Sequence, residues 1–127
     1  MAKQQLHIAL KRVYDEPTKQ DGKRVLVDRL WPRGLSKEKA QVDLWLKELA
    51  PSNELRKWFA HDPAKFDEFR RRYEMELSSS EVAQVKVAEL QGLAQREHIT
   101  LVFAARDTEY NNAVVLRDLL LHSSRSS

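Results

Sequence analysis

Asp28, Arg29 and Arg33 fall close together in the run Asp28-Arg29-Leu30-Trp31-Pro32-Arg33-Gly34. Guanidinium groups present forked donors that match carboxylate or phosphate oxygens, so two arginines beside a tight turn suit an anion-binding site. Asp28 could orient those arginines or act as a base. The same residues also suit a structural Asp–Arg network tying the loop to its neighbours, and residue types alone leave both readings open. Trp31 offers a parallel choice between stacking on a planar ligand and packing into the core.

The segment that carries these groups is a strand. Arg24 to Arg29 is apolar on successive residues, the pattern of a strand covered on both faces, and Pro32 and Gly34 stop it so that the charges lie at its carboxyl end. A first strand is expected from Leu6 to Val13, followed by a polar loop through Asp21-Gly22. Ser36 caps a helix expected over Lys37 to Leu49, with Asp43 as the cap of a shorter alternative, and Ser52 caps Asn53 to Ala60. Asp62-Pro63 opens a helix with Phe66, Phe69, Tyr73 and Leu77 on one face. Ser80 opens another, reaching about Arg96, with Ala83, Val87, Leu90 and Ala94 buried. Ile99 to Ala105 reads as a central strand, and Tyr110 to His122 as a buried helix.

This order gives an α/β fold: a small, mostly parallel sheet of three strands or slightly more, packed with about five helices. A single domain is expected over 1–122, with 123–127 as a frayed tail. In open sheets of this kind, ligands gather beyond the carboxyl ends of the strands. That rule brings Arg12 and Tyr14 toward the Asp28–Arg33 loop, together with Arg106, Asn111 and Asn112 behind the last strand. The two asparagines either position a ligand or cap the helix and satisfy loop backbone. Arg56 and Lys57 could also approach, whereas Arg70-Arg71-Arg72 should point outward, solvated or paired.

Several chemistries are excluded. The chain has no Cys, which removes thiolate catalysis, disulfides and cysteine-ligated metals. His7, His61, His98 and His122 have no metal-ligand spacing, so no metal is expected. With only Gly22, Gly34 and Gly92, neither a dinucleotide fingerprint nor a Walker loop can be built, and no cofactor is expected. No apolar run approaches the roughly 20 residues of a membrane helix. The N-terminus also lacks a signal-like segment, so a cytoplasmic protein without membrane attachment is expected.

The net charge of +3 is unevenly placed: residues 1–39 carry ten Lys/Arg against five Asp/Glu. The leading reading is a site for a phosphorylated or carboxylated small molecule. One alternative is a nucleic-acid-binding accessory module using the basic N-terminal third, and another is a structural partner-binding protein. Oligomeric state is not legible.

Four stretches resemble the YeaO-like family, the domain-of-unknown-function 488 group. They are Lys11-Arg12-Val13-Tyr14-Asp15, the run from Arg24 to Gly34, Ala50-Pro51-Ser52 with Leu55-Arg56-Lys57, and Asn111-Asn112-Ala113-Val114-Val115-Leu116. The resemblance covers nearly the whole chain and implies a small bacterial α/β protein. More distant relatives carry Cys and His near the end of the last strand, where this chain has Ala104 to Asn112. The departure argues against thiol or metal chemistry in this branch. Nothing in the chain supplies a glycine-rich turn for a nucleotide-derived methyl donor, and no helix-turn-helix with a basic recognition helix stands out.

Overall fold

Runs of β-formers pair into one parallel sheet in the computed structural model, which describes residues 6–125. The strands are β1 (Ile8–Arg12), β2 (Lys23–Leu26), β3 (Leu44–Trp45) and β4 (Ile99–Phe103), in the order β1-β4-β2-β3. β4 is apolar apart from Thr100, whose hydroxyl donates to the Asp21 carbonyl at 2.7 Å, and it lies between β1 and β2 with every residue buried. Five helices complete the chain: α1 (Lys37–Ala40), α2 (Asn53–Phe59), α3 (Phe66–Ser79), α4 (Glu81–Arg96) and α5 (Asn112–Arg125). The domain is single, and its α/β class is the expected one. Among the described residues no helix is long and apolar enough to cross a membrane.

Alternation along the strands sends neighbours to opposite faces, and the two faces receive different covers. Val25, Ile99, Leu101 and Phe103 join the main core with Phe59 of α2, Phe69 and Tyr73 of α3, Leu90 of α4 and Leu116 of α5. Burying each large side chain contributes about 1.5–3 kcal/mol. Phe59 and Phe69 stack at 4.2 Å between ring centroids. The Tyr73 hydroxyl donates to the Leu49 carbonyl, so the one polar atom this ring brings inside is satisfied. Leu26 and Val102 point to the other face, under Val13, Ala40 and the half-buried Trp31 and Leu35.

That second face also holds a buried ion network. Arg24 is only 2% exposed; it donates to Asp21 Oδ2 at 2.8 Å, to the Ala40 carbonyl at 2.9 Å and to the Val13 carbonyl at 3.4 Å. Lys11 adds a second contact to Asp21 at 3.1 Å. Burial alone would raise the Asp21 carboxyl, but the Thr18 amide, Lys11, Arg24 and the Thr18 hydroxyl together hold it down at about 2. Gly22 follows at φ 63°, where an added Cβ would lie 2.1 Å from the His98 carbonyl oxygen.

One element differs from the sequence expectation. The helix expected over Lys37 to Leu49 is instead α1, the short strand β3 and a single 3-10 turn at Lys47–Leu49. Gln41 takes the left-handed conformation at φ 47° and ends α1; Asp43 then accepts from the Arg24 amide, and Leu44 and Trp45 pair with β2. Tertiary pairing here outweighs local helix propensity. At the far end α5 continues to Arg125, into the segment expected to fray; the rest of that segment, 126–127, lies outside the described residues.

Candidate functional site

Because β1, β4 and β2 run in parallel, their carboxyl ends share one edge of the sheet. β1 leads there to Tyr14, β2 to the Asp28–Arg33 loop, and β4 to Ala104–Asp107 ahead of α5. These segments and the end of α2 enclose a cleft of about 810 Å³. Phe59, Phe69, Trp31 and Pro32 supply apolar lining, with Asp28 and Asn112 as polar groups inside it. Arg33, Arg56, Lys57 and Arg106 are exposed around it. Five Arg or Lys side chains line the cleft against two carboxylates, so its field favours anions.

The two arginines of the opening motif separate. Arg29 is half-buried and donates from Nε to the Pro51 carbonyl at 3.2 Å and from Nη2 to the Ala50 carbonyl at 3.3 Å. It clamps the loop before α2. The Arg33 side chain has no hydrogen-bond or ion-pair partner among the described residues, and its backbone carbonyl accepts from the Tyr14 hydroxyl at 2.9 Å. Among the described residues the side chains of Lys57 and Arg106 likewise have no hydrogen-bond or ion-pair partner. Arg56 makes one exposed bond, to Asn53 Oδ1 at 2.8 Å.

Asp28 does not orient either arginine, contrary to the sequence expectation. Its Oδ2 accepts from the Ala104 amide at 2.8 Å and its Oδ1 from Asn112 Nδ2 at 3.2 Å. The physical reason is proximity: β2 and β4 are neighbours, so the residues just past their ends meet. Burial pushes the Asp28 carboxyl above the usual carboxylate range, opposed by those two hydrogen bonds and by the positive fields of Arg56 and His61.

Arg12 is also committed to backbone, donating to the Ala105 carbonyl at 2.9 Å and the Ala104 carbonyl at 3.2 Å, with its guanidinium 5.2 Å from the Tyr14 ring centroid. Asn111 is 1% exposed and caps α5, accepting from the Val114 amide at 3.0 Å while donating to the Asp107 carbonyl at 2.8 Å. Asn112 bridges the Val27 carbonyl and Asp28. Trp31 donates to the Leu35 carbonyl at 2.6 Å and meets Trp45 edge-on at 5.5 Å, and it also lines the cleft. Of the outward arginines, Arg70 pairs with Asp118, and Arg71 and Arg72 with Glu68. Among the described residues, no group of three His, Asp or Glu side chains could hold a metal ion.

His61 was not singled out for this site from the sequence, yet it lines the cleft. Ala60 and His61 both take left-handed conformations, at φ 48° and 57°, and turn the chain back over the apolar wall. Neither is glycine, so no residue type announces the turn.

A family model described as the inactive DUF488-N3 subclade matches residues 7–127. The chain belongs to the DUF488 family. Its YeaO-like character is equally direct: it is 42% identical over 115 residues to the uncharacterised protein YeaO of Escherichia coli, covering 91% of this chain and 97% of that one. Uncharacterised proteins of Mycobacterium tuberculosis and Mycobacterium bovis are each 44% identical over 113 residues, covering 89% of this chain and 92% of theirs. No solved structure matches this DUF488 chain.

Proposed function

We propose that this protein binds a small anionic molecule, phosphorylated or carboxylated, in the cleft at the carboxyl ends of β1, β4 and β2. One observation carries the reading: Arg33, Lys57 and Arg106 stand at a concave, partly apolar cleft of about 810 Å³, and among the described residues their side chains have no hydrogen-bond or ion-pair partner. Arg29 and Arg12 each spend two donors on backbone carbonyls, whereas these three side chains make no such bond among the described residues and offer their donors to a ligand. The amino end of α5 opens on the same space and adds to the positive field.

Binding without turnover is the favoured form of this reading. The cleft lining includes no Ser, Thr or Cys to serve as a nucleophile, and Asp28 is held by two donors. The family description as an inactive subclade agrees with that reading. Titration of the protein with phenyl phosphate and with benzoate, at low and at physiological salt, tests it. Saturable one-to-one binding that weakens with salt is the expected result. Absence of binding by both compounds overturns it, and tight binding of a single-stranded oligonucleotide in their place would favour nucleic acid as the natural anion.

A further inference from the structure

Asp28 stands out within a cleft otherwise dominated by cations. It is half-buried, lines the cleft, and forms no ion pair among the described residues. The second cleft carboxylate, Asp107, is spent locally: its Oδ1 accepts from the amides of Glu109 and Tyr110, at 2.8 and 3.0 Å, in a turn. Asp28 is different. Each of its oxygens accepts one protein hydrogen bond, and a carboxylate oxygen has room for about two. The unused acceptor capacity belongs to a group that burial has stripped of much of its water, a costly state unless a donor arrives.

Two donors fix that carboxylate rigidly. The Ala104 amide belongs to the exit of β4, and Asn112 is itself fixed by its bond to the Val27 carbonyl at 3.0 Å. Trp31, Pro32, Phe59 and Phe69 line the same cleft as Asp28 and the exposed cations. A cleft with a fixed acceptor, apolar lining and exposed cations matches a ligand that carries the complementary parts.

Resting on the anion-binding reading, we propose that Asp28 is a second recognition point and that the ligand is bifunctional. It carries a hydrogen-bond donor, an ammonium or a ring N–H, which meets Asp28. An apolar ring lies against the aromatic lining, and a phosphate or carboxylate meets Arg33, Lys57 and Arg106. In this scheme the cations provide attraction for any anion, and Asp28 selects among anions.

A matched set of probes tests this on the full chain: 4-methylphenyl phosphate against the meta and para isomers of (aminomethyl)phenyl phosphate. The ammonium adds positive charge to a ligand entering a net positive cleft, so general electrostatics predicts weaker binding for it. Contact with Asp28 predicts the reverse, at least about tenfold tighter binding for one isomer, as for a charge-assisted hydrogen bond. In Asp28→Asn that preference should be lost, leaving 4-methylphenyl phosphate bound at least as tightly as either aminomethyl isomer. Should that variant misfold, the wild-type ratio alone decides. If all probes bind the wild type and neither aminomethyl isomer is favoured, the bifunctional ligand is overturned while the anion site stands. If none binds, the anion reading itself has failed and this inference falls with it.

Discussion

Arg29 and Arg33 lie four residues apart, and their substitution by Ala should have opposite consequences. Arg33 is exposed and its side chain has no hydrogen-bond or ion-pair partner among the described residues, so Arg33→Ala should change stability by no more than about 0.5 kcal/mol. If its guanidinium grips a phosphate, the loss of a charge-assisted hydrogen bond costs about 1.5–3 kcal/mol, or roughly 10- to 150-fold in Kd. Arg29→Ala removes bonds to two carbonyls, Pro51 and Ala50, that lie in buried residues. Both bonds are long, so the estimate is kept to about 2–4 kcal/mol, equivalent to a drop in Tm of roughly 10 °C for a domain of this size. Calorimetric titration with phenyl phosphate and a thermal scan of each variant measure both quantities. The reasoning is refuted if Arg33→Ala melts early with unchanged affinity, or if Arg29→Ala keeps its Tm and loses only binding.

Three further expectations concern the fold that carries the cleft. Tyr73→Phe leaves the Leu49 carbonyl without its donor in the core and should cost about 1–3 kcal/mol by denaturant titration. An unchanged midpoint would mean that this carbonyl finds another donor. Gly22→Ala drives a Cβ to 2.1 Å from the His98 carbonyl oxygen and should cost more than about 3 kcal/mol. Gly34→Ala, at φ 76° with open space around it, should cost only about 1 kcal/mol, so equal losses would contradict the geometry. Asp21 is held at about 2 against an ordinary value of 3.8, so its stabilising share is present above the ordinary value and fades as pH falls toward 2. Discounted for screening on the Lys11 side, that share is about 1–2 kcal/mol. Asp21→Asn should therefore flatten the loss of stability between about pH 4 and 2, and an unchanged acid profile would sink the assignment.

The parts of the fold that were legible in the sequence are those where burial writes a pattern. Ile99–Phe103 announces a central strand because both of its faces are covered, and Phe66, Phe69, Tyr73 and Leu77 announce α3 because one face is. β3 has neither signal: it is two exposed residues defined by pairing with β2. Its neighbours favour a helix until Gln41 turns left-handed. For the site, the sequence indicates the place but not the partners. Arg29 and Arg33 look equivalent along the chain. The difference is decided by a loop about 21 residues away, whose carbonyls reach one guanidinium and not the other. His61 is hidden for a related reason, since its position depends on two strained residues that carry no turn signature.

The position of β4 in the middle of the sheet has a consequence for how the molecule comes into being. β1 and β2 are close in the chain, yet they do not touch as strands; each pairs with β4, which begins only at Ile99. A nascent chain that has emerged as far as α4 therefore owns both outer partners and lacks the strand that joins them. Sheet closure must span about 90 residues, a long-range pairing that slows folding and leaves open strand edges until synthesis is nearly complete. Asp28, Ala104 and Asn112 meet across that same closure. The cleft thus forms only when the last fifth of the chain has been made, and a chain cut between Gly34 and β4 keeps both arginines of the opening motif and has no cleft to put them in.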